Sequence, residues 1–240
     1  MTLPEFYGCT FLAFGPPLAM FIFTIAHDPI RTIIMIAAAF VWLLSLLLSS
    51  LLWFAIVPLR DATAFALVFS VLFQEAFRFL IYKILRKSER GLQEVANSPQ
   101  IIANKHILAY VCGLGFGIIS GLFALVNVLA DAAGPATVGL KNGTSGFLLA
   151  SATQTLLMIL LHTFWGVIFF DSIDNSNRAN TAYVVVSHLF VSAITLLNNS
   201  GQLYALTLGL NGVVTLITGV LAYRVVGGSL LTFKRFVTCK

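Results

Sequence analysis

The stretch "CGLGFGIISGLFALVNVLAD", residues 112–131, decides the fold. It is apolar throughout, yet it holds four glycines, a serine and an asparagine. Glycine costs a helix interior roughly 1 kcal/mol against alanine. A helix of this length that accepts the cost repeatedly is one whose backbone must be approached closely. At 100° per residue, Gly113, Gly117, Ser120, Gly121, Ala124 and Asn127 fall within about 120° of one another around the helix, and Asp131 ends the stripe. Gly113, Gly117 and Gly121 make a flat groove free of side chains. This is the small-residue pattern by which transmembrane helices pack. The groove receives another helix, from this chain or from a partner, and either source leaves the same imprint.

The rest of the chain agrees with a membrane setting. Of its 240 residues 59% are hydrophobic and 10% charged, with a mean hydropathy of +0.96. A soluble domain carries about 25% charged residues. The bilayer is therefore the solvent. Apolar stretches near 3–25, 32–57, 62–85, 107–130, 147–170, 181–199 and 203–223 are each long enough to cross the hydrocarbon core. The expected fold is an all-α polytopic bundle of seven transmembrane helices, a single membrane domain with a short basic tail over 224–240. The polar breaks are short, so a soluble catalytic domain has no room. The first stretch lacks a basic leader and carries Glu5 and the Pro16-Pro17 pair, so it reads as a retained, kinked span.

Orientation follows from the basic residues of the loops. Arg31, Lys83, Arg86, Lys87, Arg90, Lys105, Arg178, Arg224, Lys234, Arg235 and Lys240 lie toward one side, against Arg60 and Lys141 on the other. The first side is expected to be cytosolic, which puts the N-terminus outside or luminal and the C-terminus inside. Two glycosylation sequons, at Asn142 and Asn198, then fall on the outer side. The net charge of +5 is a topology signal rather than a nucleic-acid footprint, and its local clusters attract anionic membrane lipids. Three cysteines in two spans and the tail offer neither a disulfide framework nor metal-type spacing.

Polar residues inside the spans mark a second feature. His162 in the fifth span, His188 in the sixth, and Gln74, Glu75 and Arg78 in the third lie on faces expected to turn inward. By helical rise, Glu75, Arg78, Gly117, His162 and His188 each sit roughly 10–15 Å from the cytosolic boundary. Ionisable groups at such depth face the protein interior, paired with one another or with carbonyls. Arg78 is expected to pair with Glu75 or to cap carbonyls of a neighbour, and the two histidines to face each other across a polar cavity. Two histidines and one carboxylate under-supply a zinc centre. The "IISG" segment lacks the glycine two before the serine that an intramembrane nucleophile needs, and the aspartates sit at span ends, so no aspartyl pair faces itself within the membrane. No catalytic residue, metal or cofactor is expected. The bottom-up reading stops at a bundle with a groove and a polar cavity, both shaped to receive helices or tails.

The residues also resemble a known family. "YGCTFLAFGPP", "QEAFRF", "GLGFGIISG", "VLADAAGP", "LLHTFWGVIFFD", "SHL" and "GGSL" occur in order from about residue 5 to about 235. Together they resemble the anterior-pharynx-defective family, the multipass scaffold subunit of the γ-secretase complex, and the short tail resembles that of an insect member. The resemblance implies a non-catalytic subunit that binds nicastrin, holds presenilin, which carries the catalytic aspartates, and works with presenilin enhancer two. Such a hetero-oligomer processes Notch-type and amyloid-precursor-type substrates. It would be assembled in the endoplasmic reticulum and Golgi, and the mature complex would reside at the plasma membrane and in endosomes. Gly113, Gly117 and Gly121 match the family's glycine motif. His162 and His188 match its intramembrane histidines, which line a cavity receiving the C-terminal end of presenilin. The alternative is a hydrolase like the CAAX-processing intramembrane proteases, using Glu75, His162 and His188, but "QEAFR" has one carboxylate where those enzymes have a pair.

Overall fold

The computed structural model describes residues 3–59, 62–95, 105–133, 145–200 and 203–229, together with 231, 232, 234 and 238. Among these residues seven helices are long and apolar enough to cross a membrane, and no strand occurs. They are α1 (Leu3–Thr24), α2 (Pro29–Ala55), α3 (Thr63–Val95), α4 (Lys105–Ala133), α5 (Ser145–Asp174), α6 (Arg178–Thr195) and α7 (Tyr204–Val225). Short 3₁₀ turns follow α2 and α6.

Local chemistry sets several of these boundaries. Asp28 caps α2, accepting hydrogen bonds from the backbone of Ile30 at 3.0 Å and Arg31 at 3.4 Å, with Pro29 in the first turn. Asn177 caps α6 through Asn180 N–H at 3.3 Å. Beyond α7, Gly227 takes φ +88° and Gly228 donates to the Tyr223 carbonyl at 2.8 Å, a left-handed stop that suits glycine. Helix α1 runs unbroken through Pro16 and Pro17. Helix α3 continues through "RKSERGLQEV" to Val95, past the apolar span that ends near 85.

Helices α4 and α5 are the central pair, with more than half of each span buried against a third or less in the other five. Trp165, Leu161, Ile159 and Ile168 of α5 and Leu108, Leu114 and Phe116 of α4 are fully enclosed. A smaller cluster of Cys9 and Ala13 with Leu125, Leu129, Leu148 and Ala152 fixes α1 against the same pair. The remaining helices pack around this axis and leave broad apolar faces outward, as a bilayer solvent requires.

Candidate functional site

Helix α3 places Glu75 and Arg78 one turn apart on the same face, and both are almost wholly enclosed. The Arg78 guanidinium donates from Nε to Glu75 Oε2 at 3.1 Å and from Nη2 to Oε1 at 3.2 Å, a forked charge pair. Its other edge crosses to α5. Nη1 donates to the His162 carbonyl at 3.1 Å, and Nη2 approaches His162 Nδ1 at 3.0 Å. His188 on α6 closes the group, with Nδ1 at 2.7 Å from Glu75 Oε1. Four side chains on three helices thus form one buried network whose two formal charges cancel.

The partners fix the tautomers. A guanidinium can only donate, so His162 Nδ1 accepts and a neutral His162 carries its proton on Nε2. A carboxylate accepts, so His188 donates from Nδ1 and a neutral ring keeps Nε2 as an acceptor. The two rings stand edge to face with centroids 5.1 Å apart, so the expected gap between them is filled by ring contact. Each histidine is 1% exposed. Trp165 stacks on His188 at 4.4 Å and donates to Ser187 at 2.9 Å, while Arg78 lies 5.2 Å over the Phe116 ring. Sequence reading did not single out Trp165 or Phe116. The signal for Trp165 was its position three residues after His162, on the same helical face.

Gln74 is not part of this network. Its Oε1 accepts the Trp42 indole N–H of α2 at 3.0 Å, and its Nε2 donates to Ser70 at 3.3 Å. The one-residue step from Glu75 turns it 100° around the helix, toward a different neighbour. Lower on α3, Tyr82 and Arg86 both bind Asp174 at the end of α5, Tyr82 at 2.8 Å.

The glycine groove is filled by the chain itself. A Cβ added to Gly113 would lie 2.7 Å from the Thr163 carbonyl oxygen, and one on Gly117 would lie 2.6 Å from that of Ile159. At Gly121 the obstacle is the Ile159 side chain, at 2.7 Å. Gly166 answers from α5, where a Cβ would meet Gly113 Cα at 2.8 Å. Gly115, on the other side of α4, lets the Met35 backbone of α2 approach as closely, its added Cβ lying 2.5 Å from the Met35 carbonyl oxygen and 3.3 Å from Ala38 Cβ. Helix α4 is thus thinned on two faces. Ser120 is half-buried and donates to the Gly117 carbonyl at 2.9 Å. Ala124 and Asn127 correct the expected extent of the groove. Both are exposed, and Ala124 lines a pocket with Ser151 and Thr155, while beyond Gly121 the contact of α4 with α5 passes to Leu125 and Leu129, which pack with Leu148 and Ala152. The Asn142 sequon lies outside the described residues.

Chemically, the network ties helices together. Both oxygens of Glu75 bind Arg78 and one also binds His188, and Nδ1 of His162 is taken by Arg78. Among the described residues no group of three or more His, Cys, Asp or Glu is placed to hold a metal ion.

Comparison with known proteins adds the identity. The family model described as "Aph-1 protein" matches residues 4–229. The γ-secretase subunit Aph-1 of Drosophila melanogaster is 63% identical over 240 residues, covering 100% of both chains. The γ-secretase subunit Aph-1b of Danio rerio is 44% identical, over 100% of this chain and 95% of that one. A γ-secretase subunit APH1-like protein of Arabidopsis thaliana is 31% identical over 84% of each. A match over nearly the whole length, joined to the glycine-faced α4 and the paired histidines of α5 and α6, places the chain: it belongs to the Aph-1 family.

Proposed function

We propose that this chain is a non-catalytic assembly subunit of a γ-secretase complex, binding nicastrin and holding presenilin, with presenilin enhancer two completing the complex. The names of the full-length relatives support that reading. The observation that carries it is the state of the mid-membrane layer. Every ionisable group there is spent on a bond between helices, which suits a part that holds a shape rather than one that turns over substrate.

The mechanism is positional. Helices α3 and α6 are both thinly buried, and the network ties α3 to α5 through Arg78 and α6 to α3 through Glu75. In a bilayer apolar burial does not drive helices together, so such polar ties and the glycine contacts set the arrangement. The face so held is what presenilin docks against from the cytosolic side. Each histidine binds the network through Nδ1, which leaves Nε2 as a donor on His162 and an acceptor on His188. The mature complex resides at the plasma membrane and in endosomes and cleaves Notch-type and amyloid-precursor-type substrates through presenilin's aspartates. The hydrolase alternative draws no support here, since its single carboxylate is fully engaged.

The test is co-expression with tagged nicastrin and presenilin, gentle solubilisation and capture of this chain. Recovery of both partners is expected, and recovery of neither overturns the assignment. With His162→Ala/His188→Ala, presenilin should be lost while nicastrin is kept; equal loss of both would mean that the network serves only the fold of this subunit.

A further inference from the structure

Among α4, α5, α7 and the turn after α6, a pocket of about 390 Å³ opens toward the end of the bundle opposite the basic loops. Its lining includes Ala124, Phe147, Gln154, Asn198, Tyr204 and Leu208, and no lining residue is charged. Gln154 is bonded to Asn211 of α7, which is fully buried, through Asn211 Nδ2 to Gln154 Oε1 at 2.9 Å. That single bond leaves Gln154 Nε2 and Asn211 Oδ1 enclosed and without a protein partner, and Asn198 Oδ1 is a third such atom.

Turning the amides over does not resolve this. With both reversed, the pair still makes one bond and still leaves one donor and one acceptor unmatched. The nearby threonine hydroxyls have no proton left to give the unmatched amide oxygens. Thr155 donates to the Ser151 carbonyl at 2.8 Å, Thr207 to Leu203 at 3.1 Å and Thr215 to Asn211 at 2.7 Å. The amide pair lies roughly 10–14 Å along α5 and α7 from their ends, within the apolar depth of the spans. Buried amides without partners are costly there, so the pocket calls for a group that both donates and accepts. A hydroxyl does both. A charged headgroup would find no counter-charge, and the Phe147 and Tyr204 rings, 6.4 Å apart, give the mouth an apolar wall.

We propose that this pocket binds the hydroxyl end of a neutral membrane lipid, a sterol or a ceramide, with the Gln154 and Asn198 amides of its lining as the hydrogen-bonding anchor. The volume is that of a small-molecule site rather than of a seat for a whole helix. The proposal does not depend on the assembly role.

Membranes containing the full chain with its partners would be irradiated with diazirine-bearing sterol, ceramide or phosphatidylcholine, and the labelled peptides mapped. Labelling by the sterol or the ceramide is expected in the segments holding Gln154 and Tyr204, removed by excess of the same unlabelled lipid; the effective competitor identifies the source. Gln154→Leu and Asn198→Leu should each lower it about tenfold, the scale of one or two lost hydrogen bonds. Ala150→Phe, which fills the pocket and keeps both amides, should do the same. Labelling no stronger than by phosphatidylcholine, or not saturable, would overturn the proposal and leave a water-filled pocket. Should a variant fail to accumulate, competition on the unaltered chain decides alone.

Discussion

The Arg78 guanidinium serves two helices at once, Glu75 on its own and His162 on α5. Removing one member of such a buried pair leaves an uncompensated charge and costs about 3–5 kcal/mol, whereas replacing both by apolar groups is far milder. Arg78→Ala should therefore sharply reduce accumulation of the subunit. Arg78→Met combined with Glu75→Leu should recover much of it, as thermal unfolding in detergent would record. A double variant no better than Arg78→Ala alone would mean that the pair is not coupled. Gln74→Leu should cost less, about 1–3 kcal/mol, since it leaves the Trp42 indole N–H without its acceptor. Gln74 also shows where residue-scale reading stops. Its burial was legible from its place on an inward face, but the neighbour it meets depended on which helix stands at that angle.

At the scale of elements, the contact between α4 and α5 separates two kinds of glycine. A methyl on Gly117 meets the Ile159 backbone carbonyl, while one on Gly121 meets the end of the Ile159 side chain. Gly121→Ala should thus be partly rescued by Ile159→Ala, and Gly117→Ala should not, as subunit yield and melting temperature would show. Equal rescue of both would contradict the backbone contact. Because the groove is filled from within, Gly117→Leu should remove nicastrin and presenilin together rather than select one. The sequence made the groove legible through its spacing but not its occupant, because a partner helix asks for the same small residues as an internal one. Gly115 was missed as a contact because it lies on the other side of α4, where a single small residue gives no periodic signal. The reach to Ala124 was overstated since the contact face shifts there to Leu125 and Leu129, a rotation set by helix crossing, which spacing does not carry.

For the whole molecule, membrane residence and the number of spans were legible because a chain that is 10% charged cannot cover a water-facing surface. The meeting of Glu75, Arg78, His162 and His188 was legible from their common depth, since buried charges must find each other. Their closure into a packed network was not, as depth says nothing of lateral distance. The excess of basic residues at one end predicts an outer N-terminus and a cytosolic C-terminus. A tag at the C-terminus should then be reached by antibody only after cells are permeabilised, and one at the N-terminus without it; the reverse pattern would invert the topology. The central claim is that the polar network holds an assembly together and does no chemistry. The most direct measurement is proteolytic turnover per assembled complex, with Glu75→Gln in this subunit and capture quantified on the same sample. The account predicts fewer complexes, each cleaving substrate at the unaltered rate. Complexes formed in normal number but unable to cleave would contradict it.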